Sequence, residues 1–406
     1  MRSLFLFFNQ YRWSHWLVLS PVLVISSPGL AVTIVGPGQT LNIAGTTAPD
    51  NYLVRNGGVL RANSAQTFEI SVESGSTLEA VGGTYAGRNR ARGITVTNSQ
   101  ATLTDIIVSG GVSGLTFNRQ GTSVTGSTGR VTGSIVSGDS AGISLSGMSS
   151  VELIDTRVTA NLADSVGLQF FGGDLRASQN TIISGGENGV RMDEDSARLG
   201  ISRLVLDASS VEGRAGSAIV VDQGIEATIQ VQNNSTLLSG NGILLDVLDA
   251  STANLFVASS TLEGNVQVAG NSTVNLTLDQ ARLTGDVLAG SGSSANVVLQ
   301  NQSVLEGNVR LTGATGEVTL DQSTMTGDVL ADSGSSANVV LQDQSVLEGN
   351  VHLTGATGEV TLDQSTMTGD VLADNGSSAN VVLQDQSVLE GNVHLTGATG
   401  EVTLDQ

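Results

Sequence analysis

The sequence predicts an all-β protein, a right-handed single-stranded parallel β-helix. Three observations lead there. The first is self-similarity. The stretch "STMTGDVLADSGSSANVVLQDQSVLEGNVHLTGATGEVTLDQ" fills positions 323–364, and the same string fills positions 365–406 with one change, Ser333 becoming Asn375. A looser copy fills 281–322. The second is a period of two. In "LEGNVRL", Leu305, Gly307, Val309 and Leu311 share one parity, and Glu306, Asn308 and Arg310 share the other. That is the pattern of a strand with one buried face. The third is composition: 39% hydrophobic residues, 51 Gly and only 4 Pro in 406 residues. So apolar a chain folds. Gly, Ser, Thr and Asn are too frequent for helices, and scarce Pro suits dense ladder bonding.

The elements follow in order. Residues 1–31 read as a signal peptide. Arg2 and Arg12 precede the apolar run Trp16–Ser26, and Gly29 and Ala31 supply a small-residue cleavage site; this is the layout of an export signal. The run is shorter than the ~20 residues a membrane span needs, and Pro21 interrupts it. Residues 32–280 read as irregular β-helix coils. One phrase recurs there: "IVSGGVSGLTF" (107–117), "IVSGDSAGISL" (135–145), "IISGGENGVRM" (182–192), "SVEGRAGSAIVV" (210–221) and "LLSGNGILLDV" (237–247). Each is an apolar residue, a Gly-containing turn and a short alternating strand, with a period of about 20–28 residues. Residues 281–406 are three 42-residue tandem repeats. Each splits into two related halves, "TGDVLA" and "EGNVRL", so each is expected to form two coils.

One coil cannot bury its apolar face alone, and stacking supplies the core. The 375 residues after Ala31 would give about 16–17 coils of ~22 residues, a rod roughly 80 Å long at ~4.8 Å per coil. Cysteine is absent, although an exported protein is permitted disulfides, so the stack must supply the stability. Stacking also predicts columns of like residues. Asn296, Asn308, Asn338, Asn350, Asn380 and Asn392 recur at one phase or the other and are expected to share amide hydrogen bonds along the rod. Asp286, Asp328 and Asp370 fall two coils apart, roughly 9.6 Å, about a Debye length, where repulsion is mostly screened.

The net charge is −21, and all 17 basic residues are Arg. An acidic surface repels phosphate backbones, so nucleic-acid binding is not expected. The basic exception in the mature chain is "GRNRARG" (87–93), where Arg88, Arg90 and Arg92 form a candidate binding site for an anionic glycan or a partner carboxylate, against the plainer reading of a solvated loop.

Other motifs read as structure. "SGDSAG" (137–142) resembles the nucleophile loop of trypsin-like proteases. That chemistry needs a His base near Ser140, and the three His are His15, in the signal, and His352 and His394, in the last repeats. Ser140 therefore reads as a turn residue. "RMDEDSAR" (191–198) is the densest acidic cluster. On a strand, Asp193 and Asp195 would face one side, about 7 Å apart, and paired carboxylates in a groove cleave glycans. The cluster follows an apolar strand end and reads as a solvated turn. No metal site is expected, because the nonapeptide calcium pattern is absent, and no cofactor is expected. "GSGSS" (290–294) sits in a turn with no helix after it, so the phosphate-loop logic fails.

The phrases "SSVELIDTRVTA", "SSVEGRAGSAIVVDQGIEATIQVQNNSTLLSGNGILLDV" and "STLEGNVQVAGNSTVNLTLDQARLTGDV" resemble the passenger domain of pertactin-type autotransporters. The resemblance covers most of 95–290 and continues through the repeats. It implies a β-helix displayed on the bacterial outer surface, exported by the general secretory route and carried across the outer membrane by a C-terminal β-barrel. Many such passengers are adhesins or virulence factors. Two features depart from the pattern: the Arg-Gly-Asp integrin tripeptide is absent, and no barrel or Pro-rich linker follows the repeats. No polar capping coil follows "GEVTLDQ", so the array is expected to be truncated, with more coils, a linker and the barrel translocator in the full protein.

The expectation is thus a non-enzymatic passenger acting as adhesin or stalk at the cell surface. Its partner would be a receptor or glycan on a host or neighbouring cell. The alternative is a secreted β-helix enzyme, a lyase or hydrolase, acting on polysaccharide. The Asp, Gly-His-Gly and Arg-x-Lys motifs of polygalacturonases are absent, as is every Lys that a pectate-lyase-like site could use.

Overall fold

A computed structural model describes residues 32–88, 91–121, 126–194 and 202–405. The expected signal peptide, Arg90 and Asp195 lie outside the described residues. Among those described there is no helix. Their 47 strands form sheets of 17, 23 and 7 strands, with parallel neighbours from one end to the other. The all-β, parallel-solenoid expectation holds. The 17 strands of the first sheet mark 16 inter-coil spacings, about 77 Å at ~4.8 Å each.

Each coil has three faces. From Thr261 onward the faces belong to three sheets: the chain runs, for example, through Thr273–Asp279 in the 23-stranded second sheet, Arg282–Thr284 in the 7-stranded third sheet, and Val287–Ala289 in the first. Nearer the N-terminus the first two faces belong to one sheet. Thr77–Ala86 is the cause: a single strand that turns the corner, it pairs with both Gln100–Thr104 and Ile107–Gly110. Coil length varies in this part of the chain. The step from Tyr52 to its partner Ile70 is among the shortest, and that from Val190 to Ile219 among the longest.

The tandem coils are regular for a reason that the register shows. Val309 pairs with Val329, Val329 with Val351, Val351 with Val371 and Val371 with Val393, so a shorter coil alternates with one longer by two positions. The two extra residues sit in corners. Ser333, Gly334 and Ser335 replace the two-residue corner Gly313–Ala314, and Asp343, Gln344 and Ser345 replace Gln322–Ser323. Packing alternates as well. Where Leu311 fills the interior, Gly316 faces it, and a Cβ there would lie 2.6 Å from the leucine methyl. In the next coil Ala331 and Ala337 occupy those places, both buried. A large-plus-none pair and a small-plus-small pair fill similar volume, which a close-packed core demands.

"LEGNVRL" differs from the single strand read in the sequence. Val304–Glu306 lies in the third sheet and Val309–Thr312 in the first, with Gly307–Asn308 as the corner. The parity survives because the corner also takes two residues. Gly307 and its equivalents from Gly264 to Gly369 have φ between about +133° and +157°. A Cβ at Gly349 (φ +157°) would sit 2.1 Å from the carbonyl oxygen of Gly327 one coil below. Only glycine permits that approach.

Like stacks on like inside. Leu278, Leu299, Leu320, Leu341 and Leu362 form one column, and Val287, Val309, Val329, Val351 and Val371 another, all buried. Each such side chain is worth about 1.5–3 kcal/mol of burial. The corners are stapled by buried serines. Ser303 N–H donates to Ser323 Oγ (3.1 Å), Ser323 N–H to Ser345 Oγ (3.2 Å) and Ser345 N–H to Ser365 Oγ (3.2 Å). A second serine column includes Ser251, Ser272 and Ser293, linked the same way at 3.2 and 3.3 Å.

Of the six Asn expected to share amide bonds, Asn296 does so with residues outside that set, donating to Asn275 (2.8 Å), which donates to Asn254 (2.7 Å); the other five do not bond one another, because a carboxylate separates them in each column. Beyond Asn296, Asn338 and Asn380 alternate with Glu317 and Glu359. Asn308, Asn350 and Asn392 likewise alternate with Asp286, Asp328 and Asp370 in one column. An Asn therefore separates each pair of carboxylates.

Candidate functional site

The sequence-predicted basic loop is divided. Arg88 lies over the Phe68 ring, 3.3 Å from its centroid, a cation–π contact. Arg92 borders a groove of about 440 Å³ on the first sheet with Glu69, Glu73 and Arg119. Two carboxylates thus share the groove with the two guanidiniums. Arg88 is placed on its ring and Arg92 along this mixed-charge groove.

The acidic motif is not the solvated turn its composition suggests. Asp193 is only 6% exposed. Arg191 grips it through Nε, at 2.9 and 3.1 Å from its two oxygens, and also reaches Asp222 at 2.7 Å. Gln169 donates to Asp193 from the coil below at 2.6 Å. The sequence could not show this, because Asp222 is 31 residues from Arg191 and arrives one coil later. Asp246 follows in the next coil. Its carboxyl is pushed above the usual range, first by burial and then by the negative charge of Asp222, and its Oδ1 is buried without a hydrogen bond. Among the described residues no three His, Cys, Asp or Glu side chains are arranged to hold a metal.

Ser140 sits in the turn between Ile135–Gly138 and Ala141–Ser146, its N–H bonded to Val112 O at 3.1 Å. His352 lies nine strands farther along the first sheet, about 43 Å away by coil spacing. It contacts Asp374 at 3.2 Å. Ser140 and His352 form no dyad.

The second sheet carries a larger groove, about 510 Å³, on its outward face. Two columns line it. One is Gln100, Thr128, Ser150, Asp174 and Arg203; the other is Thr102, Arg130, Glu152, Arg176 and Val205. Arg130 pairs with Glu152 and Arg176 with Asp207. Sequence reading missed this site, because its members are scattered from Gln100 to Val205. Aligning the chain coil by coil would have brought them together.

No family model matches the chain. No curated protein matches it either. Among solved structures, a crystal structure of a double mutant of the periplasmic alginate epimerase AlgG matches over 90% of this chain and 85% of that one, with 11% identity and a TM-score of 0.23.

Proposed function

We propose that this chain is a surface-displayed, pertactin-like autotransporter passenger. It acts without catalysis, as an adhesive rod in bacterial attachment or virulence. Its partner is a receptor or glycan on a host or neighbouring cell, and the full protein carries a C-terminal β-barrel translocator. The observation that carries this reading is the tandem region. From Val309 to Thr396 each coil is three strands joined by corners of two or three residues. Such coils add length and little else, as a stalk does. The two grooves described above lie in the irregular coils before them, so that binding surface is held away from the anchored end.

The enzymatic alternative is favoured by one observation, the grouping of Asp193, Asp222 and Asp246 with a raised Asp246, since perturbed carboxylates cluster at active sites. Against it, Arg191 already occupies the first two carboxylates. The test is to display the full chain, fused to a translocator barrel, on a non-adhesive bacterium and to count attachment to epithelial cells. Attachment above the empty-barrel control is expected. Absent attachment, together with turnover of pectin or alginate that is lost in Asp246→Asn, would replace this reading with the enzymatic one.

A further inference from the structure

The outward groove on the second sheet has the chemistry of a saccharide site. Its two columns run in parallel across five coils, a length of about 19 Å along the rod at ~4.8 Å per coil. Thr128 and Ser150 are short and leave a trough; Arg130, Glu152 and Arg176 stand beside them. Hydroxyls and an amide, from Thr102, Thr128, Ser150 and Gln100, suit a polyhydroxylated ligand.

The charge selects further. Arg130, Arg176 and Arg203 face two groove carboxylates, Glu152 and Asp174. Asp207 beside the groove holds Arg176, so three guanidiniums meet three carboxylates and the site is balanced in charge on a chain of net charge −21. The Arg130–Glu152 and Arg176–Asp207 pairs are exposed, each arginine side chain about half accessible (55% and 47%). Exposed pairs of this kind hold weakly, so each guanidinium can turn a bidentate face to an incoming carboxylate. Arg130 and Arg176 are two coils apart in one column, about 9.6 Å. A polysaccharide with one carboxylate per disaccharide presents charge at a comparable interval.

We propose that this groove binds an acidic polysaccharide lying along the rod axis. Arg130 and Arg176 take successive carboxylates, Arg203 takes the end of the chain, and Thr128 and Ser150 meet the sugar hydroxyls. The assignment rests on the adhesive reading and names its ligand class.

The probe is a set of hyaluronan oligosaccharides, titrated calorimetrically into the full chain, with dextran as the uncharged control. Saturable hyaluronan binding that weakens with salt is expected, with no dextran binding. Arg130→Gln/Arg176→Gln should weaken it at least tenfold. Ser150→Trp, which fills the trough and keeps every guanidinium, should do the same, whereas Arg282→Gln in the tandem coils should change nothing. Absent hyaluronan binding, equal binding of dextran, or wild-type affinity in the Ser150→Trp chain would overturn the proposal. If cell attachment persists in that case, the ligand class is wrong and the adhesive reading stands; if attachment is also lost, both fall.

Discussion

Asp328 and Asn350 are joined across one coil by two hydrogen bonds to a single oxygen. Asn350 donates its backbone N–H to Asp328 Oδ1 at 2.7 Å and its side-chain amide to the same atom at 3.1 Å. Asn350 Oδ1 in turn accepts from the Asp370 backbone N–H at 2.9 Å. The carboxylate accepts, the amide does both, and the column alternates them. Two stacked Asp would lack a side-chain donor; two stacked Asn would lose the charge-assisted bond. Asp328→Ala should therefore leave the Asn350 N–H without an acceptor, at a cost of about 1–3 kcal/mol. Faster hydrogen exchange at the Asn350 amide, with distant amides unchanged, is the expected readout.

The alternation of Leu311/Gly316 with Ala331/Ala337 predicts coupling. Leu311→Ala alone opens a cavity and should cost about 2–5 kcal/mol. Gly316→Ala alone overpacks against Leu311 and should cost about 1–3 kcal/mol. The double variant recreates the neighbouring coil and should cost less than the two added together. A denaturation cycle on all four chains measures the difference, and simple additivity would refute the compensation.

Gly349→Ala should destabilise by about 3 kcal/mol or more, because a Cβ meets backbone rather than a movable side chain. Gly334, also at positive φ (+81°), has open space around it, and Gly334→Asn should cost well under half as much. Urea midpoints of the two variants decide it.

Asp246 sets a pH dependence. Its carboxyl binds a proton more tightly folded than unfolded. That contribution to stability is full below the ordinary carboxylate range and is lost as pH rises through the raised value. Asp246→Asn should therefore be more stable than the parent at pH 7 and close to it at pH 3. A stability difference that does not change with pH would place the cause elsewhere.

Deleting residues 323–364 should remove two coils and about 9.6 Å of length, with the remaining coils still paired in register. X-ray scattering of the shortened chain should show that loss in its longest dimension.

Much of the fold was legible because a solenoid writes its geometry into the sequence as a period. Leu305, Val309 and Leu311 betray the buried parity, and the 42-residue unit betrays its two coils. The corner at Gly307–Asn308 was not legible, because it consumes an even number of residues and leaves the alternation undisturbed. The serine staples were missed for another reason. Ser323 and Ser345 look like ordinary turn residues until the coil below supplies the N–H they accept. The same holds for Arg191 with Asp222 and for the Arg130–Arg176 groove, where partners meet only through the stack.

The two last copies also carry an ambiguity of address. Thr315–Asp321 receives Ser336–Gln342 as its neighbour, yet Ser378–Gln384 has the identical sequence, SANVVLQ. A growing stack that accepted the later copy would extrude one whole repeat as a loop and find every subsequent hydrogen bond intact. The finished short rod lacks the burial of two coils, but the energy of each pairing step is the same and cannot reject the error as it is made; the order in which copies arrive can. A chain delivered from one end, each coil closing before the next appears, is proofread by time. Refolded all at once from denaturant, the same chain should yield a mixture of rods that differ in length by whole repeats.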